Sequence, residues 1–224
     1  MNFPIHNTEI NAPLPVSYTY EPCEKSKKGI LLLHGYADKA ISARKRLLGL
    51  DSIPSYHVLA PNGFFPTPLL QANGSYKEAY AWYFYDPQTG TQLIAPEKAA
   101  KMMMSFLKQI ALEDLEWTVL SFSQGGFFSP YLLRAGLKAK TLISVGAAYR
   151  TKALESLSPD GIKIYAIHGM DDRIVDHDAS KKSFEEIQKL GFQGEYYSLP
   201  GLAHSLNEEG RKIVSRILLE GAGA

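Results

Sequence analysis

Ser123 lies in Leu120-Ser121-Phe122-Ser123-Gln124-Gly125-Gly126, directly after the apolar run Trp117-Thr118-Val119-Leu120. A buried strand thus runs into a tight turn, with a hydroxyl at its apex and glycines where a helix starts. The residues two before and two after such a serine must be small, because strand and helix nearly touch there. Ser121 and Gly125 meet that demand, with serine in place of the first glycine of G-x-S-x-G. The chemistry implied is nucleophilic attack by a serine hydroxyl at the apex of a nucleophile elbow. A hydroxyl alone is a poor nucleophile. It needs a base to take its proton, and the base needs a third group to fix its tautomer and steady its charge.

Those partners should lie at the carboxyl ends of later strands. Two loops fit. The run Ile162 to Ile167 is followed by His168-Gly169-Met170-Asp171-Asp172-Arg173-Ile174-Val175, and Glu195 to Leu199 by Pro200-Gly201-Leu202-Ala203-His204. Serine, then aspartate, then His204 is the chain order such an elbow requires. The residues alone leave the acid open between Asp171 and Asp172, with Asp176 and Asp178 a little further on. With His168 and His177 this stretch could pass for a metal site, but it lacks a ligand-bearing helix pattern. His34 and His168, each before a glycine, read as turn residues that bond backbone.

A serine mechanism also needs donors for the developing oxyanion. One is the N–H after the nucleophile, on Gln124. The other is expected from the loop Leu33-His34-Gly35-Tyr36-Ala37-Asp38, with Tyr36 N–H as the candidate.

The elements that must hold these groups are short apolar runs at Val16 to Tyr20, Gly29 to Leu33, Tyr56 to Ala60, Trp117 to Leu120, Thr141 to Val145, Ile162 to Ile167 and Glu195 to Leu199. Most are apolar on both faces, as parallel strands covered on two sides must be. Helical patterns fall between them. Pro96 to Ile110 opens on proline and carries Ala99, Met102, Met103, Phe106, Leu107 and Ile110 on one stripe. A second pattern starts near Asp178 and stops at Gly191, and a last one carries Ile213, Val214, Ile217 and Leu218. Alternating strands and helices predict a mostly parallel, doubly wound sheet of about seven strands, with helices on both faces and no large cap. Residues 1–224 read as one domain.

Composition narrows the function. The 224 residues are 45% hydrophobic with a net charge of +1, which points away from nucleic acid. One cysteine, Cys23, excludes an internal disulfide and a cysteine-built zinc site. No apolar run approaches the ~20 residues of a membrane span, and Met1 to His6 lack a signal-like pattern. The expected setting is cytoplasmic. No G-x-G-x-x-G or Walker loop is present, so no nucleotide cofactor is expected.

Taken together, Leu-Leu-Leu-His-Gly at 31–35, Ser-Phe-Ser-Gln-Gly-Gly at 121–126, His-Gly-x-x-Asp-x-x-Val at 168–175 and Gly-x-x-His at 201–204 resemble the α/β-hydrolase superfamily. The resemblance is to its small carboxylesterase/phospholipase branch, which includes acyl-protein thioesterases. It runs from about Lys28 to the C-terminal helix. Trp82-Tyr83-Phe84-Tyr85-Asp86 is similar to the aromatic segment before the long helix of that branch. The His-Gly-x-x-Asp spacing implies Asp172 as the acid. The resemblance further implies a cofactor-free and metal-free hydrolase of carboxylic esters or thioesters. Ser121, Ala37 and Asp176 depart from the pattern, standing where the family has, or often has, glycine, glycine and proline.

The stretch Pro61 to Ala95 is long, aromatic and nearly without periodicity. Part of it, including Phe64, Phe65, Leu69 and Trp82, is expected to wall an apolar cleft for short to medium acyl chains. The bland alternative is a satellite core beneath a long loop. Two other functions stay in view: an amide hydrolase on the same three residues, and a non-catalytic binding protein on a hydrolase scaffold. The sequence leaves the oligomeric state open.

Overall fold

The structure is a computed structural model and describes residues 13–49, 53, 55–86, 88–89 and 91–222. The N-terminal residues read above for a signal pattern lie outside them. In chain order the elements are β1 (Tyr18–Glu21), β2 (Lys28–Leu33), α1 (Ala40–Leu48) and β3 (His57–Pro61), followed by six very short strands. These are β4 (Phe65–Pro66), β5 (Leu69–Leu70), β6 (Tyr76–Lys77), β7 (Tyr80–Ala81), β8 (Phe84–Tyr85) and β9 (Gln92–Ile94). Then come α2 (Pro96–Gln109), β10 (Glu116–Phe122), α3 (Gln124–Arg134), β11 (Ala139–Val145) and α4 (Thr151–Leu154). The chain finishes with β12 (Lys163–Gly169), α5 (His177–Lys189), β13 (Tyr196–Leu199) and α6 (Glu208–Ala222).

Seven strands form the central sheet in the order β1-β3-β2-β10-β11-β12-β13. Only β1 runs antiparallel, against β3; the other neighbours are parallel. The chain first winds from β2 outward to β3, then crosses back to lay β10 on the other side of β2. The order therefore reverses between β2 and β10. In open α/β sheets a crevice opens at the carboxyl ends of the strands at such a reversal, and ligands bind there.

The strands are apolar on both faces because both faces are covered. Along β2, Leu31 and Leu33 point into one core with Val119, Leu142 and Ile164, beneath Met103 and Leu107 of α2 and Phe128 and Leu132 of α3. Ile30 and Leu32 point the other way, with Val58, Leu120, Ile143 and Ile167, against Ala43 and Leu47 of α1 and Val214 and Ile217 of α6. Each fully buried aliphatic side chain contributes about 1.5–3 kcal/mol, so the sheet between the two layers is a stiff base for loops at its rim.

The stretch between β3 and α2 is not structureless. Its strands pair locally as β4 with β7, β5 with β6 and β8 with β9. It divides the large apolar residues sharply. Phe64 and Trp82 are buried, Trp82 completely, and join the main core. Leu69, Leu70 and Tyr76 lie exposed on the outer β5–β6 ladder. Among the described residues no helix is long and apolar enough to cross a membrane.

Candidate active site

Ser123 follows the last residue of β10 and caps α3. It holds φ 49° and ψ −117°, a region L-residues rarely adopt, at a cost of about 1–3 kcal/mol. The surroundings impose it. Ser123 N–H donates to the Val145 carbonyl at 2.9 Å, and its own carbonyl accepts from Gly126 and Phe127 N–H. The reversal is so tight that a Cβ on Gly125 would lie 2.7 Å from both the Cβ and the carbonyl oxygen of Leu33. Ser121, in the place of the usual glycine, is fully buried and donates its hydroxyl to the Ile143 carbonyl at 3.0 Å. It is thus satisfied within the sheet.

The structure brings Ser123, His204 and Asp172 together. Ser123 Oγ is 3.0 Å from His204 Nε2, and His204 Nδ1 is 2.7 Å from Asp172 Oδ2. Because a carboxylate only accepts, the imidazole carries its proton on Nδ1 and leaves Nε2 as acceptor for the serine hydroxyl. Two loops converge to achieve this. Met170 N–H donates to the Leu199 carbonyl and Asp171 N–H to the Leu202 carbonyl, lacing the loop after β12 to the loop after β13. Gly169 permits that contact, since a Cβ there would sit 2.1 Å from the Leu202 oxygen.

Asp172 is buried. Its Oδ1 accepts from the N–H groups of Ile174 and Val175 at 2.9 and 3.0 Å. Burial alone pushes the carboxyl up, but the Val175 N–H, His204 and the Ile174 N–H outweigh it and hold it below the ordinary carboxylate range. Asp171 is exposed. Asp176 caps α5 by accepting from Ala179 N–H at 2.8 Å, which gives this departure from the family pattern a local role. Asp178 is exposed and bonded to His177.

His168, read from the sequence as a turn residue, does more. Its Nε2–H donates to the Val175 carbonyl at 3.0 Å and also lies 3.2 Å from Asp172 Oδ2, with both side chains fully buried. Burial pushes its imidazole below the ordinary range.

The loop after β2 closes over the elbow. A Cβ on Gly35 would lie 3.4 Å from the Ser123 Cβ. His34 is completely buried and sets the course of this loop. Gly63 N–H donates to its Nε2 at 2.8 Å, so Nδ1 carries the hydrogen and donates to the Gly35 carbonyl at 2.6 Å. That carbonyl belongs to the same trans peptide as the Tyr36 N–H, which must point the opposite way. Burial pushes the His34 pKa down to about 4, so the ring stays neutral. Ala37 adopts φ 53°, which explains why glycine suits that position. Tyr36 N–H makes no hydrogen bond among the described residues, and Gln124 N–H is the first of α3, without an intrahelical acceptor.

The substrate-wall expectation is corrected at two positions. Trp82 is not at a cleft surface: its Nε1–H donates to the His34 carbonyl at 2.9 Å and its ring stacks on Phe128. Phe64 packs edge-on against Trp82. Both are core because they cover the sheet face beneath the elbow. Phe65 is half-buried, 6.0 Å from Phe84, which is 6.4 Å from the exposed Tyr36 ring. Leu69 pairs with Lys77 across the exposed ladder. The Gln124 side chain has a role that no local pattern signals. Its Oε1 accepts from Trp82 N–H at 3.0 Å, and its Nε2 donates to the Tyr83 carbonyl at 2.9 Å.

Residues 15–219 match the model of the phospholipase/carboxylesterase family. The chain belongs to that family. It is therefore an α/β-hydrolase of the esterase/thioesterase class. Acyl-protein thioesterase 1 of Debaryomyces hansenii is 24% identical over 216 residues, covering 88% of this chain and 92% of its own. Among solved structures, Zea mays acyl-protein thioesterase 2 superposes with a TM-score of 0.72 at 16% identity, over 92% of this chain and 99% of that one. Esterase PE8 superposes with a TM-score of 0.69 at 21% identity, over 92% and 98%. At these identities the two structures speak for the shared fold.

Proposed function

We propose that this family member is a serine hydrolase of carboxylic esters or thioesters, with Ser123 as nucleophile, His204 as general base and acid, and Asp172 as the group that orients His204. The observation that carries the reading is the continuous line from Ser123 Oγ through His204 to Asp172 Oδ2, at 3.0 and 2.7 Å, on a serine held at positive φ. Ser123 Oγ attacks the carbonyl carbon while its proton passes to His204 Nε2. The carbonyl π pair moves to oxygen, where the N–H groups of Gln124 and Tyr36 receive it. The C–O or C–S bond then breaks, and the leaving group takes the proton from His204. Water repeats the sequence on the acyl-enzyme, giving its proton to His204 and releasing the acid and free Ser123. A donor of this kind is worth about 3 kcal/mol to the transition state.

Phe65, Phe84 and Tyr36 form the aromatic surface nearest the oxyanion loop and support short to medium acyl chains as substrate, at about 0.8 kcal/mol per buried methylene. The single cysteine supports a reducing, cytoplasmic setting. The reading is tested with a fluorophosphonate label and a p-nitrophenyl ester. Wild-type protein is expected to label and turn over, and Ser123→Ala to do neither while keeping its fold by circular dichroism. Turnover by Ser123→Ala near the wild-type rate removes Ser123 from the mechanism. A folded wild type that neither labels nor hydrolyses favours the non-catalytic alternative.

A further inference from the structure

A cleft of about 370 Å³ is lined by Tyr83, Tyr85, Gln92, Tyr131, Arg150 and Lys152, among others. It lies on the same rim of the sheet as Ser123. Arg150 follows β11, whose last residue, Val145, accepts the Ser123 N–H. Gly146, the next residue, lies so near His204 that a Cβ there would be 3.3 Å from the imidazole. The Arg150 guanidinium rests 4.9 Å from the ring centre of Phe127, whose N–H bonds the Ser123 carbonyl. It also lies 5.8 Å from the ring centre of Tyr85. Tyr83 is tied to the elbow through the Gln124 side chain. The charge therefore sits beside the ring of Phe127, a residue one turn of α3 along from the nucleophile.

The chemistry of this cleft differs from that of an alkyl groove. Its floor is tyrosine, with an amide and two cations around it. The guanidinium rests against two aromatic rings and turns part of its donor edge toward the Tyr83 hydroxyl, and its five N–H donors exceed what that one hydroxyl can accept. Among the described residues, no carboxylate lies within ion-pair distance of Arg150 or Lys152. The Tyr149 hydroxyl is committed to the Tyr165 carbonyl at 2.6 Å. Tyr83 is held un-ionised, with its pKa pushed up to about 12 by burial, so it stands beside the cation as a donor and brings no negative charge.

We propose that this cleft receives a carboxylate carried by the substrate, bound by the edge of the Arg150 guanidinium with Lys152 and the tyrosine hydroxyls in support. This makes the enzyme selective for anionic esters. The proposal rests on the reading of Ser123 as the nucleophile of an ester hydrolase. The charge can reside on the acyl half or on the alcohol half, and the test separates the two.

Two matched pairs decide it. The first is mono-p-nitrophenyl glutarate against its methyl-capped diester, which moves the charge on the acyl side. The second is the butyryl ester of 4-hydroxybenzoate against that of its methyl ester, which moves it on the alcohol side. The readout is the ratio of kcat/KM, charged over capped, within each protein, so a general loss of activity cancels. In wild type the ratio for one pair is expected to exceed that in Arg150→Gln by about tenfold or more, and to shrink as salt is raised. Ratios that agree within twofold between the two proteins, in both pairs, overturn the proposal and leave Arg150 as a staple between Tyr85 and Phe127. A calorimetric titration with 5-methoxypentanoate, an ether of the same length with no ester bond, reads binding without turnover. It is expected to weaken about tenfold in Arg150→Gln, and equal affinity in the two proteins counts against the site even if no ester is hydrolysed. Loss of the capped substrates' turnover in wild type strikes the Ser123 reading instead.

Discussion

Asp172 Oδ2 faces two imidazoles, His204 Nδ1 at 2.7 Å and, on its other side, His168 Nε2 at 3.2 Å. The second contact is buried on both sides and places a neutral N–H against the carboxylate that orients the proposed base. His168 Nδ1 is buried without a hydrogen-bond partner, so nothing is in place to receive a second proton. Around this ring lie His177 and Tyr196, with Asp176 and Asp178 at the start of α5 beyond them. His168→Phe keeps a ring against Tyr196 and removes the N–H. Asp172 Oδ2 then keeps only one of its two imidazole contacts and is held less firmly beneath His204. The turnover number kcat is expected to fall about tenfold with KM little changed, and steady-state kinetics of wild type and variant measures it. An unchanged kcat with lowered stability means that His168 only fills space.

Strain at Ser123 predicts an unusual stability ranking. Alanine keeps a Cβ at φ 49°, whereas glycine relieves the strain of about 1–3 kcal/mol and gives back about 0.4–1 kcal/mol through a looser unfolded chain. Ser123→Gly is therefore expected to be about 1 kcal/mol more stable than Ser123→Ala. Denaturant unfolding of the two inactive variants checks this, and equal midpoints show that the elbow holds little strain.

Gly125→Ala tests the spacing between the elbow and the loop after β2. The new Cβ meets the backbone oxygens of Leu33 and His34 at 2.7 and 2.9 Å, so that loop must retreat. Tyr36 N–H retreats with it, and kcat is expected to fall about 10²–10³-fold. Steady-state kinetics on a p-nitrophenyl ester reads the change, and a variant with near-normal kcat removes Tyr36 from the oxyanion site.

His34 links folding to pH. Its folded pKa, depressed to about 4 by burial, lies below the ~6.5 of a free imidazole. Above about 6.5 neither state is protonated there, and the group is silent. Between about 6.5 and 4 the unfolded chain takes a proton that the folded chain refuses. Stability falls across that window by roughly 3 kcal/mol, then levels. His34→Gln cannot titrate, so its stability is expected to decline less between pH 7 and pH 4.5. Urea unfolding at both pH values gives the two slopes, and parallel slopes place the acid sensitivity elsewhere.

Trp82→Ala distinguishes core from cleft. The ring is wholly buried, and its removal is expected to cost about 3–5 kcal/mol. The relative rates from acetate to octanoate esters should keep their wild-type order, because no acyl chain reaches this side chain. A reshaped chain-length profile would return Trp82 to the substrate wall.

Ser123 and His204 are legible because local chain carries their signal: an apolar strand ending in glycines, and a Pro-Gly turn beyond a strand. The choice between Asp171 and Asp172 is not local. It depends on Gly169 lying against Leu202, a contact between two loops, and only the family spacing conveyed it. Phe64 and Trp82 misled because two-residue strands are too short to show a period. Their burial is decided by Phe128 and by the sheet face beneath. α1 is hard to read because Lys45, Arg46 and the buried Arg44 interrupt its apolar stripe, and burial of Arg44 is supported by Glu21 at 2.6 Å and the Gly49 carbonyl at 2.9 Å. The link from Gln124 to Trp82 and Tyr83 spans 42 and 41 residues and leaves no trace in either segment.

That link divides the insertion between β3 and α2 into two parts with different evolutionary freedom. The root at Trp82 and Tyr83 is fastened to the residue beside the nucleophile, so a change there reaches the chemistry through the single side chain of Gln124. The β5–β6 tip has its side chains in solvent and can be lengthened, shortened or exchanged at little cost to the elbow. New recognition surfaces can therefore be grafted onto this scaffold at residues 69–77 while the root stays fixed, and a relative can change its partner without rebuilding its reaction centre.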